Sequence, residues 1–220
     1  MPELIIIRNS GEPGFGRAII TGLDAMRGDA VVIMMGDDSD DPHEVVRYWE
    51  LLNEGWDCVF GNRFIPGGAV IEYPKFKLAR NRLANCFLRV LFAMPLNDTT
   101  NGFKAYRREV IDACRPLRAA HFDLTAELPL KAITRGFTWT TIPVTYRKRK
   151  AGVSKWSLLK MGARYLATSF SIWLQARVRK VRTLNDKGQT QSSFHSQPFT
   201  LNPRLPSALP LRLRVKVLMR

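Results

Sequence analysis

The sequence predicts an α/β fold, a largely parallel sheet covered by helices on both faces. Short β-rich runs alternate with stretches of helical periodicity as far as about residue 144. At 220 residues and 45% hydrophobic, the chain is long and apolar enough to bury one sizeable core. Its two most chemically loaded loops, 36–42 and 61–68, both follow strand-like runs, where open α/β sheets place their ligands.

The elements follow in order. Residues 4–7 read as a strand, ended by Asn9, Ser10 and Gly11. Residues 17–26 space Ala18, Ile19, Leu23 and Met26 at helical intervals, and Gly28-Asp29 turns the chain into the apolar strand 30–35. Pro42 suits a first helical turn, from which Val45, Val46, Trp49, Leu51 and Leu52 carry a helix to Gly55. A third strand spans 58–60. Residues 76–91 form a basic amphipathic helix, 109–114 begin another, 127–133 are helical and 138–144 return to strand. Residues 156–178 are of a different kind. Aromatics at 156, 165, 170 and 173 and cations at Lys160, Arg164, Arg177 and Arg179 suit a helix lying in a membrane interface. From residue 183 the chain turns polar and then Pro-rich, with no pattern that predicts packing. The domain reading is therefore a catalytic unit over 1–155, an interfacial helix over 156–182 and a basic tail over 183–220.

Composition narrows the function. A formal charge of +15 ordinarily points to a polyanionic partner, but residues 176–220 hold ten Lys and Arg against one acid, so the tail carries much of it. That tail lacks aromatic interleaving and the body carries an acidic loop, so nucleic acid is not the expected partner. Cys58, Cys86 and Cys114 form neither a C-x-x-C pair nor an even set, which fits a reducing compartment. No stretch approaches the roughly 18 apolar residues that cross a bilayer, so the expected membrane contact is peripheral.

The strongest chemical signal is Gly36-Asp37-Asp38-Ser39-Asp40-Asp41. Four carboxylates in five positions repel one another, and a hard divalent cation, Mg²⁺ or Mn²⁺, offsets that repulsion while bridging to substrate phosphates. Asp38-x-Asp40 is the candidate metal grip. The alternative is an acidic cap on the helix that follows, which accounts for one or two of the acids. Gly61-Asn62-Arg63-Phe64 with Pro66-Gly67-Gly68 places a guanidinium in a loop at another strand end, suited to a phosphate or to an ordinary turn. Gly14-Phe15-Gly16 lacks the rest of a dinucleotide fingerprint. Asn97-Asp98-Thr99-Thr100-Asn101 is rich in side chains that bond ligands or their own backbone. Glu127 is a candidate general base or a solvated helical face. Arg147-Lys148-Arg149-Lys150, followed by Gly152, Ser154 and Lys155, makes a phosphate clamp or a surface charge run.

Taken in order, the acidic loop, Gly-Asn-Arg-Phe, Asp98-x-Thr-x-Gly-Phe and Arg149-x-x-Gly-x-Ser-Lys resemble the family 2 glycosyltransferases of the dolichol-phosphate (polyprenol-phosphate) mannosyltransferase type, over roughly residues 4–175. The resemblance implies a GT-A nucleotide-sugar fold, a divalent metal, and inverting transfer of a hexose from a nucleotide sugar of the GDP-mannose or UDP-glucose type to a polyprenyl phosphate at the cytoplasmic membrane face. Residue by residue, the family's D-x-D-x-[QD] element maps onto residues 36–40, with Gly36 at its first Asp and Asp37 standing in for it. Arg63 matches the arginine of the family's Gly-Ser-Arg-Phe motif, and Arg149, Ser154 and Lys155 match its phosphate-binding segment. The implied catalytic set is Asp38, Asp40, Arg63 and Asp98. The strand and Pro-x-Tyr-Asn-Glu-like loop with which such enzymes open find no match, so the expectation is a fold incomplete at its N-terminus. The alternative function is a non-catalytic, membrane-associated remnant.

Overall fold

A computed structural model of the chain describes residues 5–9, 11–148, 158–189 and 216–218. Helix α1 (Phe15–Asp24) leads into strand β1 (Ala30–Met35), then a 3₁₀ turn (Pro42–Glu44), α2 (Val45–Asn53), β2 (Cys58–Asn62) and β3 (Ala69–Ile71). Next come α3 (Lys75–Phe92), β4 (Lys104–Arg107), α4 (Arg108–Cys114), α5 (Leu124–Thr134), β5 (Trp139–Pro143), β6 (Thr145–Arg147), α6 (Leu158–Gln189) and β7 (Lys216–Leu218). The main sheet has the order β5-β2-β4-β1-β7, and β3 and β6 pair in a small sheet of their own. β1 is parallel to β7 and β2 to β5, while β4 lies antiparallel between β1 and β2. Four strands thus run one way and β4 alone opposes them, which keeps the expected mostly parallel character.

Alternation along β1 shows why both faces are covered. Val31 and Ile33 join Ile19 and Leu23 of α1, Phe60, Tyr106, Val110 of α4 and Leu128 of α5 in one core. Ala30 and Val32 join Val45, Tyr48 and Leu52 of α2, with Val59, Phe103 and Ala105, in the other. Side chains of period two divide a single strand between two helix layers. Because β1 and β2 run alike, the loops after them emerge at the same end of the sheet. The 97–103 loop joins them there, since antiparallel β4 begins at that end.

Two expectations are corrected. Residues 5–9 are irregular rather than a strand, and Ile6 is 88% exposed. Apolar β-branched residues make a strand only where a neighbour supplies backbone partners, and no strand among the described residues pairs with them. The tail beyond 183 is not wholly unpacked either. Residues 183–189 continue α6, and β7 pairs along β1 with Ile33 opposite Lys216 and Met35 opposite Leu218. β1 has β4 on its other side only, so its second row of backbone groups is available to a β-prone segment such as Lys216-Val217-Leu218. No helix among the described residues is long and apolar enough to cross a membrane.

Candidate active site

The four carboxylates of the 36–41 loop divide their work. Asp37 Oδ1 accepts from the Ser39 amide at 3.3 Å and from its hydroxyl at 2.5 Å. Asp41 Oδ1 accepts from the His43 amide at 2.9 Å, capping the 3₁₀ turn. Asp40 is buried at the end of β1, where Oδ2 accepts from the Met35 amide at 2.9 Å. Asp38 is exposed, with its backbone in the left-handed region at φ 60°. The capping alternative therefore holds for Asp41, while Asp37 and Asp40 bond Ser39 and Met35 and cap no helix. Asp38 is the acid the loop presents outward, at a backbone conformation that a non-glycine residue adopts at a cost of about 1–3 kcal/mol.

Burial pushes the Asp40 carboxyl up to about 6; the Met35 amide pulls against that, and Asp37 adds to it. A buried acid held this high gains from an added positive charge. Among the described residues no three His, Cys, Asp or Glu side chains gather into a cage. Two hard oxygen donors without a cage fit Mg²⁺ or Mn²⁺ bound by one or two carboxylates and completed by substrate phosphates.

Arg63 stands at the end of β2, and its fork is already engaged. Nε donates to Asp98 Oδ2 at 2.8 Å, Nη2 to Oδ1 at 2.7 Å, and the Arg63 amide also donates to Oδ2 at 2.9 Å. The side chains are 6% and 0% exposed. The paired bonds expected for a phosphate are made to a carboxylate of the 97–103 loop. The guanidinium also lies 5.2 Å from the Phe64 ring and 5.8 Å from that of Tyr146. Gly61 makes the close approach possible: a Cβ there would meet the Tyr48 hydroxyl at 2.3 Å and the Phe103 carbonyl at 2.8 Å. Tyr48 in turn donates to that carbonyl at 2.7 Å, and Asn101 Nδ2 donates to the Gly61 carbonyl at 2.9 Å.

The structure therefore brings Asp40, Arg63 and Asp98 to one end of the sheet, with Asp37 and Asp38 in the loop alongside. The Arg147 amide at the end of β6 donates to the Ser39 carbonyl at 2.9 Å, so the basic segment leaves from beside the acidic loop. Arg149, Ser154 and Lys155 lie outside the described residues. Glu127 is elsewhere and is occupied. Its carboxylate accepts from the Arg118 and Ala119 amides and from Lys131 Nζ at 2.5 Å, and it is 2% exposed. That is a structural clamp on the chain entering α5, and the base and solvated-face readings both give way to it. Sequence reasoning missed Lys104, a buried cation on β4 whose pKa burial lowers to about 7. Nothing in the run Phe103-Lys104-Ala105-Tyr106 marks its lysine as inward-facing.

With this geometry in place, likenesses to known proteins become informative. The model of the family described as glycosyl transferase family 2 matches residues 2–115, more than half of the chain. Polyprenol monophosphomannose synthase of Mycolicibacterium smegmatis is 32% identical over 157 residues, 69% of this chain and 59% of that protein. Undecaprenyl-phosphate mannosyltransferase of Micrococcus luteus is 26% identical over 71% of this chain and 66% of its own length. The chain thus spans less than two thirds of either relative. Among solved structures, glucosyl-3-phosphoglycerate synthase from Mycobacterium tuberculosis, in complex with Mn²⁺, uridine diphosphate and glucosyl-3-phosphoglycerate, superposes with a TM-score of 0.52 at 20% identity. That match covers 78% of this chain and 57% of the synthase, and it shows a shared GT-A fold. On the family match and the fold together, the chain belongs to glycosyl transferase family 2.

Proposed function

We propose that the protein is a glycosyltransferase that moves a hexose from a nucleotide sugar to a polyprenyl phosphate with inversion. The observation that carries this reading is the meeting of the Asp38–Asp40 loop and the Arg63–Asp98 pair at the carboxyl end of β1 and β2, where α/β sheets bind nucleotides. The relatives' names, polyprenol monophosphomannose synthase and undecaprenyl-phosphate mannosyltransferase, support the lipid phosphate as acceptor.

In this reading an acceptor phosphate oxygen forms a bond to the anomeric carbon as the bond to the diphosphate oxygen breaks. The nucleoside diphosphate departs with the electron pair. A lipid phosphate is already anionic near neutral pH, so no strong base is required and electrostatics dominate. Asp38 and Asp40 would hold Mg²⁺ or Mn²⁺, which would supply the positive charge that a departing diphosphate needs. Asp37 shapes the loop through Ser39. Asp98 fixes Arg63, whose charge faces the same region, and Arg149, Ser154 and Lys155 hold the acceptor phosphate. Buried Asn97 Oδ1 and Thr99 Oγ1 have no hydrogen-bond partner among the described residues and suit the hydroxyl donors of a sugar.

Residues 1–155 then carry the chemistry, and 156–182 bring it to the lipid on the cytoplasmic face, with 183–220 adding basic charge. α6 turns Ile172 and Ser169 inward and leaves Leu166, Phe170, Leu174 and Val178 exposed at four-residue intervals, with Arg177 over the Trp173 ring at 5.0 Å. That apolar ridge with cations beside it supports peripheral contact with an anionic membrane surface. The test is calorimetric titration with GDP and with UDP, each with and without Mn²⁺, followed by sugar transfer to a polyprenyl phosphate. Metal-dependent binding of one nucleotide is expected. A folded protein that binds neither would overturn the reading.

A further inference from the structure

Lys104 is 1% exposed, and its ammonium has a specific set of partners. Nζ donates to the Thr99 carbonyl at 2.8 Å, to the Thr125 carbonyl at 3.2 Å and to the Asn101 carbonyl. None of these acceptors is a carboxylate. Lysine is the side chain that offers three donors from one atom, and the site supplies three backbone carbonyls. Two of them belong to the turn that immediately follows Asp98, and the third belongs to the first turn of α5.

The consequences run in two directions. Toward the candidate site, gathering the Thr99 and Asn101 carbonyls closes the 98–101 turn, and the closed turn aims the Asp98 carboxylate at the amide, Nε and Nη2 of Arg63. Away from it, Thr125 Oγ1 shares a 2.7 Å hydrogen bond with the Tyr165 hydroxyl of α6, which also donates to the Phe122 carbonyl at 2.7 Å. A continuous polar strap thus joins α6 to the Arg63–Asp98 clamp, with Lys104 at its centre. An apolar residue in a strand between β1 and β2 would bury as well as Lys104 and would leave three carbonyls without donors.

We propose that Lys104 is a positioning residue whose ammonium holds the 98–101 turn closed so that Asp98 fixes Arg63 in the donor site. The proposal rests on the reading of Arg63 and Asp98 as part of that site, and its test is chosen to succeed or fail without any nucleotide.

The experiment is hydrogen exchange on the full chain, comparing wild type with Lys104→Gln, which keeps two donors, Lys104→Met, which keeps none, and Lys104→Arg, which keeps charge and donors. The expected result is loss of protection at the Arg63 amide by about tenfold in the Gln variant and more in the Met variant, with partial recovery in the Arg variant. Protection at Val59, within β2, should hold. Equal loss at Arg63 and Val59, or no loss at Arg63, would overturn the proposal. Should the variants not fold, wild type supplies the second measurement. The charged groups facing Nζ are Asp98, Arg63 and Asp40. Between pH 6.5 and 8.5, above the Asp40 transition, Arg63 protection corrected for intrinsic exchange should fall as the amine loses its third proton, and a flat profile would refute the role. Failure of nucleotide binding with Arg63 protection behaving as stated would sink the proposed function and leave Lys104 in place.

Discussion

Replacing Asp98 with Ala should destabilise the fold far more than an exposed ion pair would lead one to expect. Asp98 is fully buried and accepts three bonds from Arg63, whose own side chain is 6% exposed. Truncation leaves the guanidinium in the interior with no counter-charge and strips the Arg63 amide of its acceptor. Breaking a buried pair by removing one partner costs about 3–5 kcal/mol. Against a total stability of about 5–15 kcal/mol, that is a large share. At about 2–4 °C per kcal/mol for a domain of this size, the melting temperature should drop by roughly 10 °C. The control is Arg63→Met with Asp98→Leu, which removes both charges together and should recover the charge part of the loss, leaving only the backbone amide of residue 63 without its acceptor. Urea unfolding of Arg63→Met, Asp98→Leu and the double variant measures the cycle, with Asp98→Ala beside them. A loss under about 1 kcal/mol for Asp98→Ala, or a double variant as unstable as the single, would refute the view that this pair is a buried, mutually dependent unit.

Three further outcomes follow from the same geometry. Asp40 has its pKa raised from 3.8 to about 6, so the protonated form is the one that folding favours. Its contribution is fully present below about pH 4 and is lost as pH rises through 6. A cation needs the ionised form, so Mn²⁺-dependent nucleotide affinity should weaken as pH falls through 6, and pH-independent affinity between 5 and 7 would remove Asp40 from the metal grip. Gly61→Ala drives a methyl into the Tyr48 hydroxyl and Phe103 carbonyl and should cost about 1–3 kcal/mol in urea unfolding; a neutral substitution would mean that β2 and the 97–103 loop can part. Glu127→Ala strands buried Lys131 and should lower stability by about 3 kcal/mol while nucleotide affinity, measured below the melting transition, stays within twofold. A catalytic loss at unchanged stability would return Glu127 to the role of base.

How much of this was legible in the sequence depended on whether a residue's partners were local. β1 was legible because an apolar run ends sharply at Gly36 and its acids, and α1, α2 and α3 because their spacing reports the buried stripe. β4 was not. Four residues that include Lys104 and Arg107 carry no strand pattern, and they pair because β1 and β2 flank them, with Val32 and Val59 both opposite Ala105. β3 and β6 are three residues each and are strands only through one another. The opposite error fell on residues 5–7, where strand-like composition met no partner strand among the described residues. At the site, the order of motifs marked Arg63 and Asp98 as members of one centre, but 35 residues separate them and no local signal said that they bond to each other rather than to a phosphate.

That pairing changes how the chemistry must be divided. An arginine whose Nε and Nη2 are committed to a buried carboxylate is oriented before any substrate arrives, and on the proposed function such a preorganised pair would meet a developing anion without reorganising. The acidic loop is built on the opposite principle. Asp37, Asp40 and Asp41 each accept a hydrogen bond from nearby backbone, at Ser39, at Met35 of β1 and at His43 of the 3₁₀ turn, and Asp38 is exposed. On the proposed function, a cation gripped by Asp38 and Asp40 would draw the rest of its shell from substrate phosphate oxygens. Metal and nucleotide should therefore bind interdependently: Mn²⁺ titrated alone should show affinity at least tenfold weaker than Mn²⁺ titrated in the presence of the preferred nucleoside diphosphate. Equal affinities would mean that the protein holds a complete cation site of its own, and the division between a preoriented arginine–carboxylate pair and a substrate-completed acidic loop would be wrong.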